Sequence, residues 1–228
     1  EEDIKFLCDR KFGIGADGLI FLELKLGFDY SMSYYNSDGK KSSFCGNGSR
    51  CLAHLAHKKK LFKKQASFFA NGNCYQANIY HDVISIKMQN ISDITINHND
   101  SVLIDSGSPH IVFFRDSVEH LDVDALGRNI RNSVDYKEKG INVNFVEIQN
   151  QSLYVRTYER GVEKETLSCG TGVVASAIAS HRQGFINTDN IEIITNGGVI
   201  NVSFNYSNQT YKEIYLSGNA SLVFQGDF

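Results

Sequence analysis

The sequence predicts an α+β fold built from one unit that occurs twice. Strand-like segments dominate the chain because apolar and polar residues alternate with period two, which favours half-buried antiparallel strands. Helix-like segments are fewer, and the two clearest ones follow glycine-containing turns. A stretch of strand, loop and helix character then recurs in the second half of the chain, which indicates an internal repeat.

The alternation of side chains predicts the individual strands. In "YSMSYY" (30–35), Tyr30, Met32 and Tyr34 share one face of the predicted strand, and serines occupy the other face. The other predicted strands are 18–24, 74–80, 83–88, 142–148, 152–158, 190–195, 199–206 and 220–225. Apolar spacing of three and four residues predicts helices at 48–60, 123–132 and 172–181.

The repeat is centred on two cysteines. The segment "YYNSDGKKSSFCGNGSRCLAHLA" matches "TYERGVEKETLSCGTGVVASAIA", and each contains Cys-Gly-x-Gly before a helix of small residues. Cys45 and Cys169 therefore occupy equivalent positions. The polar residues aligned ahead of them are Asn36 and Glu159, which precede their cysteines by nine and ten residues. A duplicated α+β unit with one cysteine in each copy follows from this match.

Such a pair of cysteines suits proton transfer. The N–H groups at a helix N-terminus lack intrahelical partners and form a site for a carboxylate or phosphate. The same position lowers the pKa of a cysteine thiol. If two such units face each other across a cleft, a thiolate removes a proton from one face of a carbon and a thiol returns one to the other. This arrangement inverts a stereocentre.

Composition and charge argue against nucleic acid and membrane partners. A formal net charge of -3 gives no broad attraction to anionic surfaces, and we interpret the basic run at 57–64 as a solvated face. No apolar run approaches the roughly 18 residues that span a bilayer, and no signal peptide is visible. The five cysteines lack disulfide-scaffold spacing and any C-x-x-C pair, which predicts reduced thiols in a cytoplasmic protein.

The remaining cysteines receive an ordinary interpretation. An isolated cysteine usually behaves as a small buried apolar residue. We apply this interpretation to Cys8, Cys51 and Cys74. A zinc site built on Cys51, His54 and His57, which recur every three residues, is disfavoured because no second element supplies paired ligands.

The pair Glu159–Arg160 in "YERG" indicates the chemical class of the substrate. Arginine binds a carboxylate through two parallel hydrogen bonds, and a glutamate pairs with an ammonium group. Because the pair lies ten residues before Cys169, it favours an α-amino acid over an ordinary surface ion pair.

At these residues the chain resembles the diaminopimelate epimerases, a family of amino-acid epimerases that work without pyridoxal phosphate. The cysteine signatures are "NSDGKKSSFCGNGSRC" (36–51) and "YERGVEKETLSCGTG" (158–172). The segments "DRKFGIGADGLIF" (9–21), "GSPH" (107–110) and "NVNFVEI" (142–148) also resemble family motifs. The two cysteine signatures together make the resemblance highly specific.

The resemblance implies an isomerase that converts LL-2,6-diaminopimelate to the meso form, a step towards lysine and bacterial cell-wall precursors. It implies Cys45 and Cys169 as the proton-transfer pair, His110 and Glu159 as residues that tune the thiols, and no cofactor or metal. The implied substrate-binding residues are Asn36, Gly46, Asn47, Asn142, Glu159, Arg160, Gly170 and Thr171, with Ser108 as a weak contact.

The resemblance also implies the domain organisation. We expect two pseudo-symmetric domains, 1–92 and 93–215, each with a mostly antiparallel sheet or barrel wrapped around a central helix. The active site is expected in the cleft between them, with the final strand, 216–228, returning to the first domain. A homodimer that binds a small-molecule amino acid is the implied assembly.

Several positions depart from the family pattern. The family's opening strand, with its Gly-Asn-Asp-Phe loop, is not in this sequence, and we expect the chain given to be incomplete there. Lys40 replaces a usual serine, and Ser108 replaces an asparagine that contacts substrate in many members. Gly18 stands where some members use a glutamine for the distal end of the substrate.

Three other functions compete with this interpretation. Proline racemases and hydroxyproline epimerases share the plan, but Gly-His usually follows their first cysteine and they lack Glu-Arg-Gly. Asn47 and the pair Glu159–Arg160 therefore favour diaminopimelate. A binding protein without catalysis would have lost a cysteine. A pyridoxal phosphate enzyme is the third alternative, which the absorbance of an active preparation would test.

Overall fold

A computed structural model of the chain describes residues 1–41, 44–97 and 101–227. The chain forms two compact units, Glu1–Ile86 with Asn219–Phe228, and Lys87–Gly218. Each unit is described by itself, and the expected domain limits at 92 and 216 stay predictions. Ser42 and Ser43 of the first cysteine signature, and Phe228 of the expected returning strand, lie outside the described residues.

The first unit contains a sheet that packs against one long helix. Its elements are α1 (Glu2–Cys8), β1 (Gly18–Glu23), β2 (Tyr30–Asn36), α2 (Gly46–Lys58), β3 (Gln65–Ala70), β4 (Asn73–Tyr80) and β5 (Val83–Lys87). Neighbouring strands pair in the order β1-β2-β3-β4-β5, antiparallel except for the parallel pair β2–β3. Helix α2 packs on β1, β2 and β4.

The second unit places a helix on each face of a larger sheet. Its elements are β6 (Ile94–Ile96), β7 (Val102–Asp105), β8 (Pro109–Phe114), α3 (Val123–Arg131), β9 (Asn142–Gln149), β10 (Ser152–Glu159), β11 (Lys164–Thr166), α4 (Gly170–Arg182), β12 (Asn190–Thr195), β13 (Gly198–Ser207) and β14 (Thr210–Asn219). The strand order is β14-β13-β12-β10-β9-β8-β7-β6, and β11 pairs with β10. The pairs β10–β12 and β8–β9 are parallel.

The predicted repeat is present in the topology of both units. Strand β2 leads through α2 to the parallel strand β3, and β10 leads through α4 to the parallel strand β12. An antiparallel strand follows in each copy, β4 and β13. The loop before each helix also returns to its strand, because Lys41 bridges Tyr35 and Glu165 pairs with Tyr158. These observations confirm the α+β class.

The two equivalent helices differ in burial. Leu52, Ala53 and Ala56 of α2 are buried, whereas Leu55 is partly exposed. By contrast, every residue from Gly170 to Ser180 in α4 is buried, so the apolar face predicted for this helix covers only part of its buried surface. Small side chains allow strands to pack all around α4. Its buried serines donate to carbonyls one turn earlier, which satisfies their hydroxyl groups.

Most predicted elements are present with small changes at their ends. The predicted helices that follow the cysteines begin two residues earlier, at Gly46 and Gly170. The predicted strand 220–225 is wrong, because the described residues there form no strand and Val223 and Phe224 are exposed. The run of apolar residues in that segment is therefore not accompanied by a sheet partner in the described structure.

The basic run behaves as predicted. The lysines at the end of α2 and in the loop after it are exposed, and Phe62 between them is buried against Tyr30. Among the described residues, no helix combines the length and the apolarity that crossing a membrane requires.

Candidate active site

Cys45 is the N-cap residue of α2. Its backbone is extended (φ -114°, ψ 109°), and the Gly48 N–H donates a hydrogen bond to Sγ at 3.3 Å. The first turn of a helix has unpaired N–H groups and a partial positive charge, so this position favours the thiolate. A Cβ on Gly48 would lie 2.8 Å from Cδ1 of Ile20, so a larger residue here would require the Ile20 side chain to shift.

The other predicted residues of the first unit lie around this helix start. Asn36 is the last residue of β2, and its backbone N–H and C=O bond with Lys40 and Gly39 to form a turn. Gly46 and Asn47 are the first two residues of α2. Gly46 and Asn47 therefore lie next to Cys45, and Asn36 lies at the end of β2, one of the strands on which α2 packs.

Cys169 is the N-cap residue of α4, with nearly the same backbone conformation as Cys45 (φ -108°, ψ 114°). No side-chain capping bond forms here, and Sγ lies 3.6 Å from Oγ1 of Thr171. A Cβ on Gly172 would lie 2.6 Å from Oδ1 of Asn144, so only glycine permits this approach of α4 to the sheet. The two helix starts match in backbone but differ in the groups that face sulfur.

His110 is fully buried in a chain of hydrogen bonds that leads to Cys169. Its Nε2 lies 2.9 Å from Oγ1 of Thr171, and its Nδ1 lies 3.0 Å from Nδ2 of Asn144. Asn144 accepts a bond from Thr157 on Oδ1, so Nδ2 is the donor to Nδ1. The hydrogen of His110 is therefore on Nε2, and Thr171 can direct its own hydroxyl hydrogen at Cys169.

The charge state of His110 follows from its surroundings. Burial, together with the positive charge of Arg160, lowers the pKa of His110 to about 3. The imidazole is therefore neutral at neutral pH. A neutral imidazole can order hydroxyl groups but adds no positive charge beside Cys169.

Glu159, the last residue of β10, lies beside the second cysteine. Burial raises the pKa of its carboxyl group, and hydrogen bonds from Thr166 and Cys169 oppose this rise. Thr166 donates to Oε2 at 3.1 Å. The loop that carries Thr166 is held by Arg156, which binds both carboxylate oxygens of Glu165 at 2.7 and 2.8 Å. A buried acid is thus fixed against the Cys169 thiol.

Asn142, Ser108 and Arg160 form one hydrogen-bonded group. Asn142 donates to Ser108 Oγ at 2.9 Å and to the carbonyl of Pro109 at 3.0 Å, and it accepts from the Arg160 backbone N–H at 2.9 Å. The Arg160 guanidinium donates to Ser108 Oγ at 3.2 Å and to the carbonyl of Lys139 at 2.9 Å. Ser108, predicted as a weak contact, is therefore the link between two predicted substrate residues.

The sequence interpretation missed four polar residues of these networks. Asn144 and Thr157 are buried beside Gly172, and Ser106 donates to the backbone carbonyl of Thr171 at 2.8 Å. Arg50, in the second turn of α2, is also buried. One signal was available: Asn142 and Asn144 alternate within an apolar strand, so both point to the same face.

The other cysteines divide differently from the prediction. None of the five cysteines forms a disulfide in the described structure. Cys8 is buried as expected, but Cys51 and Cys74 are exposed, because they lie on the outer sides of α2 and β4. Within 1–41, 44–97 and 101–227, no three His, Cys, Asp or Glu side chains group closely enough to hold a metal ion.

Comparison with known sequences gives a consistent family match. A family model described as diaminopimelate epimerase matches residues 1–90 and 102–223. A diaminopimelate epimerase of Flavobacterium psychrophilum is 46% identical over 224 residues, which cover 97% of this chain and 87% of that relative.

Comparison with solved structures gives a similar fold. A PhzF-family phenazine biosynthesis protein from Bacillus anthracis matches with a TM-score of 0.70 at 12% identity, over 96% of this chain and 86% of that one. A hydroxyproline epimerase from Agrobacterium vitis matches with a TM-score of 0.67 at 12% identity, over 94% and 76%. At such identities the likeness concerns the fold alone.

Proposed function

This chain belongs to the diaminopimelate epimerase family, and from that premise we propose that it interconverts LL- and meso-2,6-diaminopimelate. The protein is then an isomerase of lysine and cell-wall precursor synthesis. The observation that carries the proposal is the matched pair of N-cap cysteines, Cys45 and Cys169, each in one copy of the repeated unit.

The reaction inverts one α-carbon by two proton transfers. A thiolate removes the α-proton, and the electron pair of the broken C–H bond passes into the neighbouring carboxylate. The thiol of the other cysteine delivers a proton to the opposite face of the carbon. After each turnover the two sulfur atoms have exchanged protonation states, which makes the reaction reversible. The reaction as proposed uses no cofactor.

The starts of helices α2 and α4 bind the carboxylate of the reacting centre. The backbone N–H groups at Gly46–Asn47 and at Gly170–Thr171 belong to first helical turns, where partners within the helix are missing. Donors fixed in position stabilise the negative charge that develops on the carboxylate in the transition state.

The surroundings of the two cysteines favour different resting states. The Gly48 N–H on Cys45 Sγ favours a thiolate. The carboxyl group of Glu159, which accepts from Cys169, favours a thiol there. We therefore assign Cys45 as the base and Cys169 as the acid in the free enzyme. His110, which is neutral, holds Thr171 beside Cys169 without adding a positive charge there.

Polar residues near each cysteine recognise the amino acid. Arg160 supplies a cation for a carboxylate, and its position depends on Ser108 and Asn142. Glu159 supplies an acceptor for the α-ammonium group, and Asn36 occupies the equivalent position in the first copy. This division of roles suits a primary amine, so it favours diaminopimelate over proline.

We extend the proposal to the cell compartment and the assembly. Five cysteines that form no disulfide in the described structure suit the reducing cytoplasm, where thiols persist. A homodimer is proposed from the family resemblance, and sedimentation of the full chain measures its mass directly.

The proposal is tested with serine variants of both cysteines. Cys45→Ser and Cys169→Ser should each lower turnover of LL-diaminopimelate by at least about 10³-fold, because a serine hydroxyl is a far weaker acid than a thiol and is not ionised at neutral pH to act as a base. Cys74→Ser, which changes an exposed cysteine on β4, is the matched control and should retain full activity. Chiral chromatography of the products measures all three.

Proline serves as the competing substrate in the same assay. Turnover of proline without turnover of diaminopimelate would be consistent with the two-thiol mechanism but would show that diaminopimelate is not the substrate. Activity in either active-site serine variant close to that of the unmodified protein would overturn the two-thiol assignment.

A further inference from the structure

Arg50 is a buried cation without a counterion in the described structure. The residue is 6% exposed, and the one side-chain hydrogen bond it makes with the described residues joins Nη2 to Oδ1 of Asn47 at 2.9 Å. The Nε and Nη1 groups are buried and have no partner among the described residues. No carboxylate in that part of the chain forms an ion pair with it. Burying an unpaired charge is costly, so its retention points to a role in function.

Arg50 lies in the second turn of α2, the helix that Cys45 caps. Arg50 follows Cys45 by five residues and Asn47 by three, so Arg50 and Asn47 are neighbours on the helix surface. Burial lowers the pKa of the guanidinium, and interactions with Cys51 and Cys45 oppose this shift. Within Gly46–Lys58, Arg50 is the one arginine or lysine before the final residue.

Resting on the proposed role of Cys45 in proton transfer, we propose that Arg50 is a positioning residue of the first half of the site. Its buried guanidinium stabilises the thiolate of Cys45 and fixes the orientation of the Asn47 side chain. The charge adds to the partial positive charge of the helix start and to the Gly48 N–H on the same sulfur. The bond to Asn47 Oδ1 determines which way round the amide lies.

Other titratable groups around α2 do not replace this charge. Helix α2 packs on β1, β2 and β4. These strands carry Glu23, Tyr30, Tyr34, Tyr35, Cys74, Tyr75 and Tyr80. Burial raises the pKa values of Tyr30 and Tyr75, which keeps both phenols neutral at neutral pH. On α2 itself, Cys51 is adjacent, and His54, His57 and Lys58 lie in the last two turns.

The test measures the reactivity of Cys45 in the full chain without substrate. Iodoacetamide alkylates thiolates, and peptide mass spectrometry reports the rate at each cysteine between about pH 5 and 9. Arg50→Met should lower the Cys45 rate at neutral pH by about tenfold and move its pH profile upward, as expected when a nearby opposite charge is removed. The exposed Cys74 serves as the reference within each sample.

Three further variants separate charge from shape. Arg50→Lys retains the charge and should keep the pH profile of the unmodified protein. Arg50→Gln loses the charge but keeps a donor for Asn47. It should therefore shift the pH profile of Cys45 alkylation as Arg50→Met does, but it should raise the KM for LL-diaminopimelate less than Arg50→Met, which removes this donor. Lys58→Met removes an exposed cation from the far end of the same helix and should change neither quantity.

Two outcomes would overturn the inference. An unchanged Cys45 profile in Arg50→Gln or Arg50→Met would show that the guanidinium does not stabilise the thiolate. An equal shift in Arg50→Lys would show that shape rather than charge matters. Since alkylation needs no substrate, these results are independent of turnover, and activity in Cys45→Ser would refute the proposed function without changing them.

Discussion

Burial fixes the charge state of His110, and this has a consequence for stability. The histidine is fully buried, and its pKa is lowered to about 3, whereas a histidine in the unfolded chain titrates near 6.5. Below about pH 6.5 the unfolded state therefore binds a proton that the folded state does not. The free energy of unfolding must fall as the pH falls through this window, down to about pH 3.

We predict the size of this effect from a variant that cannot titrate. Between about pH 6.5 and 5, His110 should remove up to about 2 kcal/mol from the free energy of unfolding, and His110→Gln should lack this component. Urea unfolding at both pH values measures it. His120→Gln, at an exposed histidine, is the control. The same pH dependence in the unmodified protein and in His110→Gln would contradict the account.

At the scale of single residues, the sequence predicts the cysteines but not their partners. The Cys-Gly-x-Gly pattern is local, and a helix start is a local structure, so Cys45 and Cys169 could be identified as its N-caps. Asn144, Thr157 and Ser106 are different, because each acts through a contact with a segment distant in the chain. Arg50 lies within a predicted helix, but its burial depends on the strands against which α2 packs, and the sequence does not predict that packing.

The two equivalent helices begin in the same way but are capped differently. Cys45 Sγ accepts a hydrogen bond from Gly48, whereas Cys169 makes no side-chain capping bond and faces Thr171 and Glu159 instead. The side chain of Cys45 therefore helps to cap its helix. In the second copy, the polar groups at the helix start form hydrogen bonds with side chains from other elements, such as Ser106 and Glu159.

This difference predicts unequal stability effects at the two helix starts. Cys45→Ser retains a capping acceptor, so its stability should stay close to that of the unmodified protein. Cys45→Ala removes the cap and should cost about 1 kcal/mol more than the serine variant. The corresponding difference between serine and alanine at Cys169 should be smaller. Urea unfolding of the four variants measures both differences, and equal differences at the two positions would contradict this interpretation.

At the scale of elements, the sequence predicts long strands with alternating residues well. It predicts very short strands, and strands buried on both faces, badly. Strands such as β12 (Asn190–Thr195) coincide with the predicted segment because alternation persists over their length. β6 and β11 have three residues each, which is too short for periodicity to appear. β8 is buried on both faces over four consecutive positions, so its sequence does not alternate. The segment predicted as a strand at 220–225 contains three consecutive apolar residues, yet the described residues there form no strand.

At the scale of the whole molecule, duplication explains why one chain has two N-cap cysteines in matching positions. Each copy contains a strand that ends in a polar residue, a loop, an N-cap cysteine, a helix and a parallel return strand. The sequence predicts this repeat because the match survives around both cysteines. The sequence does not predict that α4 is buried on all sides whereas α2 is partly exposed. The burial of each helix depends on how the strands of its unit pack around it.

The measurement that tests the central claim most directly follows hydrogen exchange during turnover. Full chain is incubated with LL-diaminopimelate in deuterium oxide, and the isomers and their α-deuterium content are measured at early times. We predict that the first meso product contains one deuterium, at the inverted carbon, because the second thiol exchanges with solvent before it delivers its proton. Meso product that retains the original hydrogen at the inverted carbon would contradict proton transfer between two separate thiols.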